Sequence, residues 1–233
     1  MLDAYREQIA VVSEAGPKVI IMASRALAKV AASPEDYLQV YSTLLSEVDQ
    51  PVILHWLGTM FDPALAGYWG SDDVAESTET FLGLIRDHAD KVDGVKVSLL
   101  DASHEVALRA ALPEGVRLYT GDDFNYPELI DGDGAHHSDA LLGIFAAIYP
   151  AASVALQKYD AGDAADARAI LDSTRELGKH IFSAPRSTTR PGSPSCPGST
   201  ANSPDSKWSA GCIPGAPWST WHAPSNSPTR PGS

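Results

Sequence analysis

Short β-branched apolar runs alternate with amphipathic stretches through the first 120 residues, and that alternation leaves few folds open. Lys18 to Ala23, Pro51 to Leu57, Gly94 to Leu99 and Val116 to Thr120 read as strands. Between the first two, Tyr37, Val40, Tyr41, Leu44 and Val48 recur at helical spacing behind a Ser33-Pro34-Glu35-Asp36 start, which supplies an N-cap, a first-turn proline and two acids at the positive end of the helix dipole. Thr80 to Ala89 and Ser103 to Leu112 read as the next helices, and Leu2, Tyr5, Ile9 and Val12 outline one ahead of them that stops at Gly16-Pro17. Strands separated by helices imply a parallel sheet. Beyond Asn125 the run from Asp139 to Tyr149 suits either a buried strand or the start of a long helix. A strand at Ala140 to Phe145 is preferred, with helices parted by Gly162 and Asp163 filling the interval to Phe182. The total is about five βα units and a helical end, where a closed (β/α)8 barrel needs eight.

The chain divides into two parts by composition. From Arg186 to Ser233, 30 of 48 residues are Pro, Gly, Ser or Thr, and Leu, Val, Phe, Tyr, Met and Glu are absent, so this stretch cannot build a core. The expected organisation is a folded domain over residues 1–185 and a disordered tail over 186–233. Trp208, Trp218 and Trp221 are odd company for a solvated linker. Read two nucleotides into the Arg186 codon, suitable synonymous codons turn the segment into Gln-Tyr-Tyr-Lys-Thr-Gly-Val-Ala-Phe-Leu. The tail is therefore expected to be out-of-frame translation. Both cysteines, Cys196 and Cys212, fall in it and define no disulfide or metal site in the body.

The net charge of −13 deepens to −16 over residues 1–185, which disfavours binding to nucleic acid or to an anionic membrane surface. The chain has no apolar run long enough to span a bilayer, and its first residues lack the basic-then-apolar plan of a signal peptide. The expected setting is cytoplasmic.

Strand parity selects the candidate site. In Gly94-Val95-Lys96-Val97-Ser98-Leu99, Val95, Val97 and Leu99 share one face while Lys96 and Ser98 share the other. Helices cover the apolar face, so Lys96 points to the opposite layer, where burial lowers an amine's pKa and frees it to attack a carbonyl. The bland alternative is a lysine snorkelling at the strand end or paired with Asp122 or Asp123. His55 lies opposite Val52, Leu54 and Trp56 near its strand's C-terminal end and suits proton transfer; a core imidazole is the competing reading. The Gly121-Asp122-Asp123-Phe124-Asn125-Tyr126 segment crowds two carboxylates and an amide at the same rim, to bind substrate or a metal or to cap the next turn. His136-His137-Ser138-Asp139 is read as structural, because adjacent histidines on an extended chain point to opposite sides.

Three segments carry a resemblance. Val92-Asp93-Gly94-Val95-Lys96-Val97-Ser98 resembles the sixth strand of the dihydrodipicolinate synthase and N-acetylneuraminate lyase superfamily, where Gly-Ile-Lys bears the lysine that condenses with pyruvate. Leu118-Tyr119-Thr120-Gly121-Asp122-Asp123 is similar to its seventh-strand Ser-Gly-Asp-Asp motif, and Gln50-Pro51-Val52-Ile53-Leu54-His55-Trp56 to its fifth strand, with His55 in place of the catalytic tyrosine. His55-Trp56-Leu57-Gly58, Met60-Phe61-Asp62-Pro63 and Gly67-Tyr68-Trp69-Gly70 resemble an uncharacterised bacterial branch of that superfamily.

The resemblance implies a partial (β/α)8 TIM barrel lacking its first three strands, and class I aldolase chemistry. Lys96 would form the Schiff base, His55 would shuttle protons, and Ser98, Asp122, Asp123 and Asn125 would bind substrate. It implies no cofactor and no metal, a small 2-oxo acid as partner, and a homo-oligomeric parent family. The fragment itself is expected to show little or no activity. Two alternatives compete: a metal-dependent barrel lyase or hydrolase using His55, Asp122, Asp123 and His136, and a non-catalytic binding barrel that keeps Lys96 for charge pairing.

Overall fold

The computed structural model describes residues 1–183. The boundary expected at 185/186 and the disordered, out-of-frame tail lie outside the described residues. In chain order the elements are α1 (Leu2–Glu14), β1 (Ile20–Met22), α2 (Arg25–Val30), α3 (Pro34–Glu47), β2 (Val52–Leu57), α4 (Val74–Asp87), β3 (Val92–Ser98), α5 (Ala102–Ala111), β4 (Arg117–Thr120), α6 (Tyr126–Asp131), β5 (Asp139–Ala140), α7 (Tyr149–Asp160) and α8 (Ala164–Ser183). The strands form one parallel sheet in the order β1-β2-β3-β4-β5. The chain is thus an α/β fold with each strand beside its sequence neighbour, as the alternation requires.

Period-two patterning explains which face the helices cover. Ile21, Leu54, Val95 and Leu118 align across four strands and pack, with Trp56 and Val97, against Tyr41 of α3, Phe81 of α4 and Leu108 of α5. An aromatic cluster fills the space between α3, α4 and a 3-10 turn at Tyr68–Gly70; the Trp56 and Phe81 rings meet edge to face at 5.4 Å. A second cluster joins Tyr126 and Ile130 of α6 to Ile148 at the start of α7, Ala152 and Ala155 within α7, and Leu171 of α8. The Tyr126 hydroxyl lies 2.6 Å from Thr174 Oγ1 and fastens α6 to α8.

Three expectations need correction. The helix expected from Thr80 begins at Val74, because Asp73 accepts hydrogen bonds from the Ala75 and Glu76 amides and caps an earlier turn. The strand expected over Ala140 to Phe145 shrinks to Asp139–Ala140, and Gly143–Ala146 forms a 3-10 turn instead. There the Asp123 carboxylate accepts from the Ile144 amide at 2.7 Å, which supplies the partner a strand would have sought in a ladder. Finally, α1 buries no residue fully, and Val12 of its apolar stripe is exposed. Among the described residues no helix is long and apolar enough to cross a membrane.

Candidate functional site

The face of the sheet turned away from α3, α4 and α5 is polar at its centre. Strand register places Met22, His55, Lys96, Tyr119 and Asp139 in one row across all five strands, with Lys96 at the middle. Ser98 lies two residues further along β3 on the same face.

His55 is only 5% exposed and is held from both sides. Its Nε2 lies 3.0 Å from Ser98 Oγ, and its Nδ1 lies 2.8 Å from Met22 Sδ. Burial, and then the positive charge of Lys96, push its pKa down to about 3, so the ring is neutral across the physiological range. Lys96 is half-buried and has no hydrogen-bond or ion-pair partner among the described residues. Burial lowers its pKa, with the nearby Asp123 carboxylate opposing the shift. The bland expectation of direct pairing with Asp122 or Asp123 therefore does not describe Lys96: Asp123 acts on it through the field only.

Gly121 fixes how these groups fit together. It follows β4 directly, and its amide donates to Val97 O at 2.7 Å. A Cβ there would sit 2.1 Å from Ser98 Oγ and 3.2 Å from Lys96 Cε, so only glycine lets the loop close over both side chains. Gly94 does the same one row below, where a Cβ would lie 2.6 Å from the Tyr119 ring. A β-bulge also shapes this floor: the partners of Val52 and Ile53 are Val92 and Gly94, leaving Asp93 as the extra residue. Asp93 accepts from Lys18, from Arg117 at 2.8 Å and from the Tyr119 hydroxyl at 2.8 Å.

The loop carboxylates part company. Asp122 is spent on its own turn: one oxygen accepts from the Phe124 and Asn125 amides, and the other from Asn125 Nδ2 at 2.8 Å. Asp122 and Asn125 thus hold each other and cap the turn, the capping alternative that the sequence left open for this loop. Asp123 faces Lys96 electrostatically while anchoring Ile144, and burial raises its pKa against both of those interactions. The metal-dependent quartet is not assembled. Among the described residues no three His, Cys, Asp or Glu side chains converge as metal ligands.

A buried polar network behind the sheet escaped the sequence reading. Glu105 of α5, 2% exposed, accepts from Thr120 Oγ1 at 3.1 Å and from Ser138 Oγ at 2.8 Å, and Thr120 Oγ1 in turn accepts from the Asp122 amide. Arg109 donates to Leu129 O and Ser138 Oγ. Burial raises the Glu105 pKa to about 7. The available signal was that Glu105 and Arg109 share the helical stripe of Leu108 and Leu112, where charge is out of place. Met22 and Tyr119 were missed because register, not parity within one strand, brings them beside His55 and Lys96. A cavity of about 670 Å3 lies elsewhere, between α1 and the start of β2; its Arg6 is paired with Glu47 and its Lys18 with Asp93.

None of the curated proteins compared matches the chain. A family model described as "Protein of unknown function (DUF993)" matches residues 1–193. That family is distinct from the dihydrodipicolinate synthase and N-acetylneuraminate lyase superfamily, and the resemblance drawn from the Lys96, Gly121 and His55 segments is corrected accordingly. Those motifs are a few residues long, and several of their positions serve packing: Gly94 and Gly121 make room for side chains, and Asp122 closes a turn. The chain belongs to the DUF993 family.

Proposed function

We propose that the protein is a Schiff-base-forming lyase or aldolase in which Lys96 attacks a small 2-oxo acid. The observation that carries this reading is an amine at the centre of the polar face, half-buried, without a hydrogen-bond or ion-pair partner among the described residues, and lowered in pKa. A lysine kept for charge pairing is expected to hold a carboxylate in direct contact, and among the described residues Asp123 acts on Lys96 only through its field.

The chemistry follows from the neighbours. The free amine adds to the ketone carbon, and the carbonyl oxygen leaves as water after taking up protons, giving an iminium. The iminium draws in the electron pair of a bond broken at the adjacent carbon, and the reverse flow makes that bond. Asp123 offsets the positive charge at low dielectric, and the His55–Ser98 pair stands beside β3 to move protons.

The sheet is proposed to be an arc of a (β/α)8 barrel. Its strictly sequential strand order and the one-sided cover by α3, α4 and α5 support that geometry, with Lys96, His55 and Ser98 in the C-terminal halves of their strands, where barrel sites gather. The same proposal includes a cytoplasmic setting.

The test is reductive trapping, which reads imine formation at Lys96 alone and does not require turnover, of which the chain is expected to show little or none. The chain is incubated with pyruvate and borohydride, digested and mass-analysed. A mass gain on the Lys96 peptide, lost in Lys96→Met, is expected; no gain, or a gain on other lysines only, ends the reading.

A further inference from the structure

The contact between Met22 and His55 determines more than packing. A thioether sulfur has no proton to give and only a weak capacity to accept one. At 2.8 Å the sulfur is in direct contact with Nδ1, and of the two tautomers only the one that turns an N–H toward the sulfur makes that contact attractive, because facing lone pairs repel. The ring proton therefore belongs on Nδ1. Nε2 is left with its lone pair toward Ser98, 3.0 Å away, and the Ser98 hydroxyl must be the donor.

We propose that Met22 is a positioning residue that locks His55 in the Nδ1–H tautomer and thereby makes the Ser98 hydroxyl the proton-transfer group of the Lys96 site. The second half rests on the Schiff-base reading; the tautomer lock does not. Ser98 is placed for the task. It is buried on the same face as Lys96 two residues on, and both its Oγ and Lys96 Cε press against Gly121.

The step balances. With pyruvate on Lys96 as the iminium, a proton leaves the methyl carbon for Ser98 Oγ while the hydroxyl proton passes to His55 Nε2. The C–H electron pair becomes the enamine double bond, and the iminium nitrogen takes up its π electrons. One positive charge disappears from nitrogen and reappears on the imidazole, so the net charge of the site is unchanged. Lys96's charge is also one of the two causes that suppress His55 basicity, and enamine formation removes it at the moment the ring accepts a proton.

Two measurements on the full chain test this. Long-range 1H–15N spectra of the seven-histidine protein, with His55 assigned by its loss in His55→Gln, report the tautomer directly. A protonated Nδ1 and bare Nε2 are expected at pH 7. Met22→Leu should move the pattern toward a mixture, and Met22→Gln, whose amide oxygen accepts, should restore it. A proton on Nε2 in the unsubstituted protein, or no change in Met22→Leu, overturns the proposal. Exchange of pyruvate methyl protons for deuterium tests Ser98: Ser98→Ala should slow it about tenfold or more and Ser98→Thr should recover it. Undiminished exchange in Ser98→Ala overturns the Ser98 role. Borohydride trapping runs alongside, and its failure in the unsubstituted chain removes the Lys96 reading and the Ser98 step with it, while the tautomer spectra still decide on Met22.

Discussion

The two faces of the sheet come from the same strands, residue by alternate residue, yet they solve opposite problems. On the covered face Leu54, Val95 and Leu118 are 0–2% exposed and meet the aromatic and aliphatic side chains of three helices. On the other, Met22 is 47% exposed while His55, one strand over in the same row, is 5% exposed. The first face spends its residues on burial. The second buries His55 and Ser98 and holds Lys96 at intermediate depth, shielded enough to perturb acid-base chemistry. Core packing and half-shielded polar groups thus lie on opposite sides of one backbone, and removing a core ring or removing the Lys96 amine should move stability in opposite directions.

The largest effect belongs to the covered face. Phe81→Ala removes a fully buried ring that packs against Trp56 and Trp69, and should cost about 3 to 5 kcal/mol in urea unfolding. Next comes Glu105, which sits behind the sheet yet titrates. Its folded pKa of about 7 lies above the ordinary 4.5, so the folded state holds the extra proton. Stability should be greatest below pH 4.5 for this group and fall as pH rises through 7, by on the order of 3 kcal/mol. Glu105→Gln, compared with the unsubstituted chain at pH 5 and pH 8, should flatten that difference; equal slopes would refute the assignment.

At Lys96 on the open face the sign reverses. Lys96→Met removes the cost of a half-buried amine that has no direct partner among the described residues, and should raise stability by about 1 kcal/mol while abolishing imine trapping. A destabilised Lys96→Met would show that the two faces are not divided in this way. The smallest change is Tyr119→Phe, which deletes one hydrogen bond to Asp93, a carboxylate that also holds Lys18 and Arg117; a loss of about 0.5 kcal/mol is expected.

Parity within β2 and β3 made the division between the faces readable before any coordinates. Val95 and Val97 against Lys96 and Ser98, and Leu54 and Trp56 against His55, follow from the period-two geometry of an extended chain. Relations between strands were not readable, because nothing in Ile20–Met22 states which residue of β2 it will face. The Met22–His55 contact and the Lys96–Tyr119 adjacency depend on that register. Asp93 was hidden for a related reason, since a bulge rotates one residue out of the alternation that parity assumes. The run from Ala140 to Phe145 misled because its apolar character fits strand and helix alike, and the deciding partner, Asp123, is about twenty residues away in sequence.

Asp123 holds the Ile144 backbone through one oxygen and tempers the charge of Lys96 through its field. A variant such as Asp123→Ala would therefore suffer two injuries with one symptom, a loosened wall and an untempered amine. Asp123→Asn keeps the carbonyl acceptor for Ile144 and erases only the charge, so geneticists and enzymologists mapping this protein would need the amide, not the methyl, to tell architecture from chemistry.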